Sequence, residues 1–283
     1  MITGKTKKLG IIGWPVGHSQ SPVIQNAAFK AAGLDYVYVP LPVKPDNLAA
    51  AIEGLKALDF AGANVTIPHK VDIMQYLDKL DESAMKIGAV NTIVVREGVC
   101  TGYNTDGDGF IKALLAKGVN PSGKKVVILG AGGAARAVVC GLLQQAVTSI
   151  TICARVQEKA MHFLKLFSNS DKVTFCLWQE GTEFSEQLSA CDILVNCTSL
   201  GMVPKLDSQP FVDWQAVSKT ITVCDLVYNP LETVFLKTAA ALGHKIVTGD
   251  GMLIEQGALA FSLWTGCEAP VPVMYQSFKM PDC

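Results

Sequence analysis

Short apolar runs alternate along this chain with stretches whose apolar positions recur every three or four residues. The segment "KLGIIGWP" (8–15) reads as a buried strand. The segment "SPVIQNAAFKAAG" (21–33) reads as a helix, with Ser21 as N-cap, Pro22 as its first residue and Gly33 as its stop. Further strands are predicted at 36–43, 61–68 and 89–96. This βαβ rhythm implies a mostly parallel sheet with helices on both faces. A cluster of Gly, Pro, Ser and Asn in "KGVNPSGKK" (117–125) marks a loop, after which the series begins again. Strands follow at 125–130, 149–155, 173–178, 192–199 and 220–228, with a helix at 131–146. The pattern predicts an α/β protein of two domains, 1–106 and 107–248, and a C-terminal helical segment, 249–283. The helix in that segment, "GMLIEQGALAFSLWTG" (251–266), suits either domain on pattern alone.

Composition narrows the function classes. With 283 residues, 49% hydrophobic and 17% charged, the chain can bury a core without staples. A net charge of −1 supplies no global field for nucleic acid or membrane, so an anionic ligand must be held by local groups. The nine cysteines are odd in number and form no CxxC pair, which excludes the usual zinc spacings and fits no disulfide framework. No signal-peptide pattern opens the sequence and no apolar run is long enough for a bilayer, so a cytoplasmic protein with reduced thiols is expected.

The strongest local signal is "VVILGAGGAAR" (126–136), where Gly130, Gly132 and Ala135 fit G-x-G-x-x-A between a strand and a helix. Gly130 permits the tight turn and Gly132 lets backbone approach a pyrophosphate. Ala135 lets helix and strand pack closely, and the helix N-terminus offers free N–H groups. The competing interpretation is a tight βα turn with no ligand. At the end of the next strand an NAD binder carries an acid, but "ICARVQEK" (152–159) offers Arg155 and, one turn later, Lys159. Cations suit a 2′-phosphate, which favours NADP over NAD; otherwise both are solvated residues at a helix start.

A nicotinamide enzyme also needs a substrate site, and polar residues at strand ends are where one forms. "GHSQSP" (17–22) places Ser19 and Ser21 where the first strand meets the first helix, a pocket suited to a carboxylate. "NVTIPHK" (64–70) puts Thr66 and Lys70 past a strand. "GAVNT" (88–92) adds Asn91, and "NTDGDG" (104–109) adds Asp106 at the mouth of a helix. Each alone is commonly a cap or a turn. Together they match a polyhydroxylated carboxylic acid.

These motifs, with "NCTSLGM", "DLVYNPLET" and "GMLIEQGALAF", occur in the order and spacing of shikimate dehydrogenases, which the chain resembles from Leu9 to Gly266. The resemblance implies NADPH-dependent reduction of 3-dehydroshikimate to shikimate in the biosynthesis of chorismate and aromatic amino acids. It implies an N-terminal α/β substrate domain, a Rossmann NADP-binding domain, and a C-terminal helix returning to the first. By the same resemblance Ser19 and Ser21 hold the substrate carboxylate. Thr66, Lys70, Asn91, Asp106, Gln256 and Tyr228 line the ring, and Lys70 with Asp106 is the catalytic pair. The cofactor positions it implies are Gly130, Ala131, Gly132, Gly133, Ala134, Arg155, Lys159, Thr198 and Gly249. No metal is implied. The expected partner is a small molecule, on a monomer or homodimer.

The sequence departs from the family pattern in places. The usual Asn-Arg-Thr or Asn-Arg-Ser after the second Rossmann strand is Ala154-Arg155-Val156, which loses a phosphate-contacting hydroxyl and implies looser exclusion of NAD. Cys197 stands where Ala is commoner. The pair Ser19 and Ser21 favours shikimate, whereas Thr at the second position would favour quinate. The rival interpretations are a quinate/shikimate dehydrogenase with relaxed NAD/NADP use and a non-catalytic dinucleotide sensor. For the chemistry itself, a free lysine has a pKa of about 10.4, so Lys70 is an acid already loaded for ketone reduction.

Overall fold

The computed structural model describes residues 2–278, without the side chains of Lys159 and His162. Two compact units divide the chain. The first runs to Gly109 and resumes at Ile254; the second spans Phe110–Leu253.

The first unit contains, in order, β1 (Lys7–Gly13), α1 (Ser21–Ala31), β2 (Tyr36–Pro42), α2 (Leu48–Ala57), β3 (Phe60–Val65), β4 (Lys79–Leu80), α3 (Glu82–Ile87), β5 (Thr92–Arg96) and β6 (Val99–Tyr103). Helix α4 (Asp106–Ala116) starts in it. The sheet order is β2-β1-β3-β5-β6-β4. Strand β1 pairs parallel with β2 and β3, whereas β5 is antiparallel to both β3 and β6. The sheet is therefore mixed, with β6 as a strand that the periodicity did not suggest. Glu97 and Gly98, both at positive φ (51° and 74°), form the two-residue turn that joins β5 to β6. Such a turn matches strand twist and makes an antiparallel hairpin where a crossover helix would have made a parallel pair. One face of the sheet packs Ile12, Ala63, Val65 and Ile93 against Ile52 and Leu55 of α2.

The second unit contains β7 (Lys125–Leu129), α5 (Gly133–Leu143), β8 (Ser149–Ala154), α6 (Gln157–Lys165), β9 (Val173–Leu177), α7 (Thr182–Ala190), β10 (Ile193–Asn196), β11 (Thr222–Asp225), α8 (Val234–Ala241) and β12 (Lys245–Val247). All its strand pairs are parallel, in the order β12-β11-β10-β7-β8-β9. That is the doubly wound Rossmann arrangement, with the reversal of strand order between β7 and β10. Both faces are covered. Val126 and Ile128 of β7 join one core cluster, Val127 and Leu129 the other. Continuous apolar strands such as "KVVIL" follow from that two-sided burial.

Helix α9 (Asp250–Thr265) begins in the second unit and returns to the first, where α10 (Val271–Ser277) follows. Phe261 of α9 stacks on Phe29 of α1, with ring centroids 5.1 Å apart.

Candidate active site

Strand β3 ends at Val65, yet the Thr66 N–H still donates to Ile12 O at 2.9 Å. The Thr66 carbonyl then accepts from His69 N–H at 3.0 Å, which closes a turn around Pro68. Proline has no N–H to offer a ladder, so the strand cannot continue through it. His69, only 1% exposed, sets a ring nitrogen 2.7 Å from the Val43 carbonyl and ties the turn to the chain after β2. The Lys70 carbonyl accepts from Val90 N–H at 2.7 Å. A lysine gripped through its own backbone and its neighbours is aimed, and its ammonium donates to Asp106 Oδ2 at 2.6 Å.

Asp106 is the first residue of α4, where the helix N-terminus favours an anion. Its N–H donates to Asn104 Oδ1 at 3.0 Å, and Asn104 in turn donates to Ala89 O at 2.9 Å. The second carboxylate oxygen, Oδ1, accepts from Asn91 Nδ2 at 2.9 Å. The same amide nitrogen reaches Thr105 Oγ1 at 2.9 Å and Gln256 Oε1 at 3.2 Å. Asn91 is 2% exposed and Asp106 6%, so the carboxylate is held by these donors and by the lysine rather than by bulk water. Gln256 can come this close because residue 109 is glycine. A Cβ there would stand 2.6 Å from Gln256 N and 2.8 Å from its Cα.

Ser21 departs from expectation. It is the first helical residue of α1, and Gln20 occupies the N-cap position without a side-chain bond. Ser19 does the capping instead, since its Oγ accepts from Ser21 N–H at 3.3 Å. An upstream hydroxyl satisfies one orphan donor of the helix, which frees the Ser21 side chain. Ser21 is 7% exposed, so its side chain sits at the buried start of α1. The first unit thus brings Lys70, Asp106, Asn91 and Gln256 into direct contact and sets Ser19 beside Ser21. Thr66 lies at the head of the lysine's turn. Sequence reasoning missed Tyr38, Asn64, Thr92, Asn104 and Thr105; only the polar letters flanking the chosen residues in "NVTIPHK", "GAVNT" and "NTDGDG" pointed to the last four.

In the second unit Gly130 has φ +106° and its N–H donates to Cys153 O at 2.8 Å. A Cβ on it would meet Thr198 Cγ2 at 2.8 Å, so Thr198, past β10, lies against the turn at the reversal of strand order. Gly132 and Gly133 are exposed, and side chains on them would meet no atom within 4 Å. Arg136 N–H donates to Gly132 O at 3.1 Å as the first turn of α5 closes, which leaves the N–H groups before it aimed outward. Ala135 is fully buried, as close packing of helix on strand requires. This open, donor-rich loop fits a pyrophosphate. Arg155 is exposed at the end of β8, and the side chain of Lys159 lies outside the described residues. Ala131 packs partly against the core and Ala134 is half-buried.

Thr198 is fixed from behind. Its hydroxyl donates to Asn196 Oδ1 at 2.7 Å, and Asn196 Nδ2 donates to Asp225 Oδ1 at 2.9 Å. Thr233 donates to the other oxygen of Asp225 at 2.7 Å. Burial pushes the Asp225 carboxyl up to about 6 despite these donors. Gly249 is a packing glycine, since a Cβ would stand 2.5 Å from Leu226 O. Tyr228, past β11, is half-buried, and burial pushes its phenol up. Among the described residues no cluster of three metal-ligating side chains occurs.

Known proteins share this arrangement. The shikimate dehydrogenase substrate binding domain matches residues 11–93, the shikimate/quinate 5-dehydrogenase family 113–206, and the shikimate 5′-dehydrogenase C-terminal domain 249–277. A shikimate dehydrogenase (NADP(+)) of Methanocaldococcus jannaschii is 47% identical over 274 residues, covering 97% of this chain and 96% of that protein. A crystal structure of a shikimate dehydrogenase in complex with NADP+ superposes with TM-score 0.92 at 46% identity, covering 98% of this chain and 96% of the other. One from Listeria monocytogenes, in complex with shikimate and NAD, gives 0.91 at 36% identity and 97% coverage of each chain. With matches along nearly its whole length, the chain belongs to the shikimate dehydrogenase family.

Proposed function

We propose that this protein is an NADP-dependent shikimate dehydrogenase that reduces 3-dehydroshikimate to shikimate, reversibly, in chorismate and aromatic amino-acid biosynthesis. The observation that carries the proposal is the 2.6 Å Lys70–Asp106 pair, with Asn91 on the other carboxylate oxygen. NADP(H), when bound, supplies or takes the hydride. The open loop at Gly130, Ala131, Gly132, Gly133 and Ala134 suits its pyrophosphate, Thr198 lies against that loop, Gly249 is offered as a further cofactor contact, and Arg155 with Lys159 suits a 2′-phosphate.

The chain's own part is the proton. As a ring ketone becomes an alkoxide, the Lys70 ammonium hands a proton to that oxygen; in the oxidative direction the free amine takes it back. Asp106 orients the amine, and its two oxygens, which already accept from Lys70 and Asn91, keep lone pairs that can accept from a ring hydroxyl. Ser19 and Ser21 accommodate the substrate carboxylate at the start of α1. Thr66, Asn91, Gln256 and Tyr228 supply the remaining polar contacts. The cytoplasm is the proposed location: nine cysteines, an odd number in no disulfide-framework spacing, suit a reducing compartment. No helix among the described residues is long and apolar enough to cross a membrane. A monomer or homodimer acting on a small molecule, without nucleic acid, completes the proposal.

Absorbance of NADPH formed from NADP and shikimate at alkaline pH tests it directly. Parallel assays with quinate and with NAD decide how strict the specificity is. Shikimate with NADP is expected to give the highest kcat/KM. Absence of turnover with every pair would leave only a dinucleotide sensor.

A further inference from the structure

Three buried polar side chains in the first unit have no place in the mechanism above. Tyr38 on β2 is 1% exposed, Asn64 on β3 6% and Thr92 on β5 0%. Polar groups so deep in a sheet are costly unless every donor and acceptor is used. Here the bonds run in one direction. The Tyr38 hydroxyl donates to Asn64 Oδ1 at 2.7 Å. Asn64 Nδ2 donates to Thr92 Oγ1 at 3.1 Å and to the Asn91 carbonyl at 3.1 Å. The Thr92 hydroxyl donates to Asn91 Oδ1 at 2.9 Å. Asn91 Nδ2 then donates to Asp106 Oδ1, whose partner oxygen holds Lys70.

We propose that Tyr38, Asn64 and Thr92 form a positioning relay that runs across the sheet from β2 through β3 and β5 to the Lys70–Asp106 pair. The relay fixes which way the Asn91 amide faces. An amide is nearly symmetric in shape, so only its partners decide where the NH₂ points. Thr92 O–H and Thr105 N–H both feed Asn91 Oδ1, at 2.9 Å each, and the NH₂ is thereby turned onto Asp106. Thr92 holds its hydroxyl proton toward Asn91 because its own oxygen is already supplied by Asn64. Asn64 is oriented in turn by Tyr38. Burial pushes the Tyr38 phenol well above its ordinary range, so it remains a donor. A chain of this kind is worth more together than bond by bond, since each donor polarises the next. None of the three touches the reacting atoms; they act through Asn91 and Asp106.

The inference rests on the proposed function, so the test separates the two. Thr92→Val, Thr92→Ser and Tyr38→Phe are compared with wild type and with Lys70→Ala, measuring kcat and KM for shikimate and Kd for NADPH. Valine and phenylalanine keep shape and remove only the hydroxyl. In both, kcat should fall about 5- to 50-fold, the size expected when a buried acceptor loses its donor. NADPH affinity should hold, and Thr92→Ser should recover kcat to within about 3-fold of wild type, since it restores the donor. Wild-type kcat in Thr92→Val and Tyr38→Phe overturns the relay, as does a Thr92→Ser enzyme no better than Thr92→Val. Wild-type turnover in Lys70→Ala overturns the mechanism beneath it.

Discussion

Replacing Gly109 with alanine adds one methyl group at the point where α4 meets α9, and the structure says what that methyl would strike. Its carbon would lie 2.6 Å from Gln256 N, 2.7 Å from Gln256 Cβ and 2.8 Å from Gln256 Cα. Two of these atoms are backbone, which a rotamer change cannot move. Ordinary contact requires about 3.4 Å, so the helices must part locally by roughly 1 Å, a displacement that at a reacting constellation costs on the order of 10²-fold. The bond from Asn91 to Gln256, already 3.2 Å, would not survive it. Overpacking of this kind costs about 1–3 kcal/mol of stability. Gly109→Ala should therefore lower kcat/KM for shikimate by about 10- to 100-fold, with Kd for NADPH unchanged. Gly54→Ala is the matched control: it is also helical, and its Cβ would meet nothing within 4 Å. It should keep full activity and gain up to about 1 kcal/mol of stability. Wild-type kinetics and stability for Gly109→Ala would refute the idea that this glycine exists to seat Gln256.

Three other predictions are narrower. Ser19→Ala should raise KM for shikimate while leaving Kd for NADPH unchanged, by calorimetry; a changed NADPH affinity would contradict its placement at the carboxylate. Arg155→Ala should weaken NADPH about 10-fold or more and NADH little, because a lost charge-assisted contact costs about 1.5–3 kcal/mol only where a 2′-phosphate is present; equal losses would remove Arg155 from that role. Burial raises Asp225 in the folded state to about 6. Its contribution to stability is thus fully present below about 3.9, the ordinary aspartate value, and is lost as pH rises through about 6. Relative to Asp225→Asn, wild type should lose stability between about pH 4 and 7 in denaturant titrations; a flat difference would refute the shift.

The residues that do chemistry are more legible in the sequence than those that hold them. Lys70 and Asp106 stand next to strand breakers and helix starts, and local rules point to such positions. The glycine loop is readable for the same reason: a positive φ at Gly130 and a buried Ala135 are local demands. Tyr38 and Thr92 are not readable, because an aromatic and a β-branched residue inside a strand are what strand propensity favours anyway. Their role appears only when β2, β3 and β5 are assembled, and the sheet order β2-β1-β3-β5 is a non-local fact. Strand β6 escapes a reading by periodicity because "EG" between two apolar runs is a weak hairpin signal, which makes the first sheet look more parallel than it is. Ser21 looks like an N-cap because capping rules see one residue, whereas Ser19 two positions earlier does that work.

The mechanism depends most on Lys70 moving a proton rather than merely binding substrate. The direct measurement is steady-state kinetics of Lys70→Ala with shikimate and NADP. Turnover should fall about 10²- to 10⁴-fold, with KM for shikimate changing far less. A large rise in KM at nearly unchanged kcat would make Lys70 a binding group and contradict the mechanism.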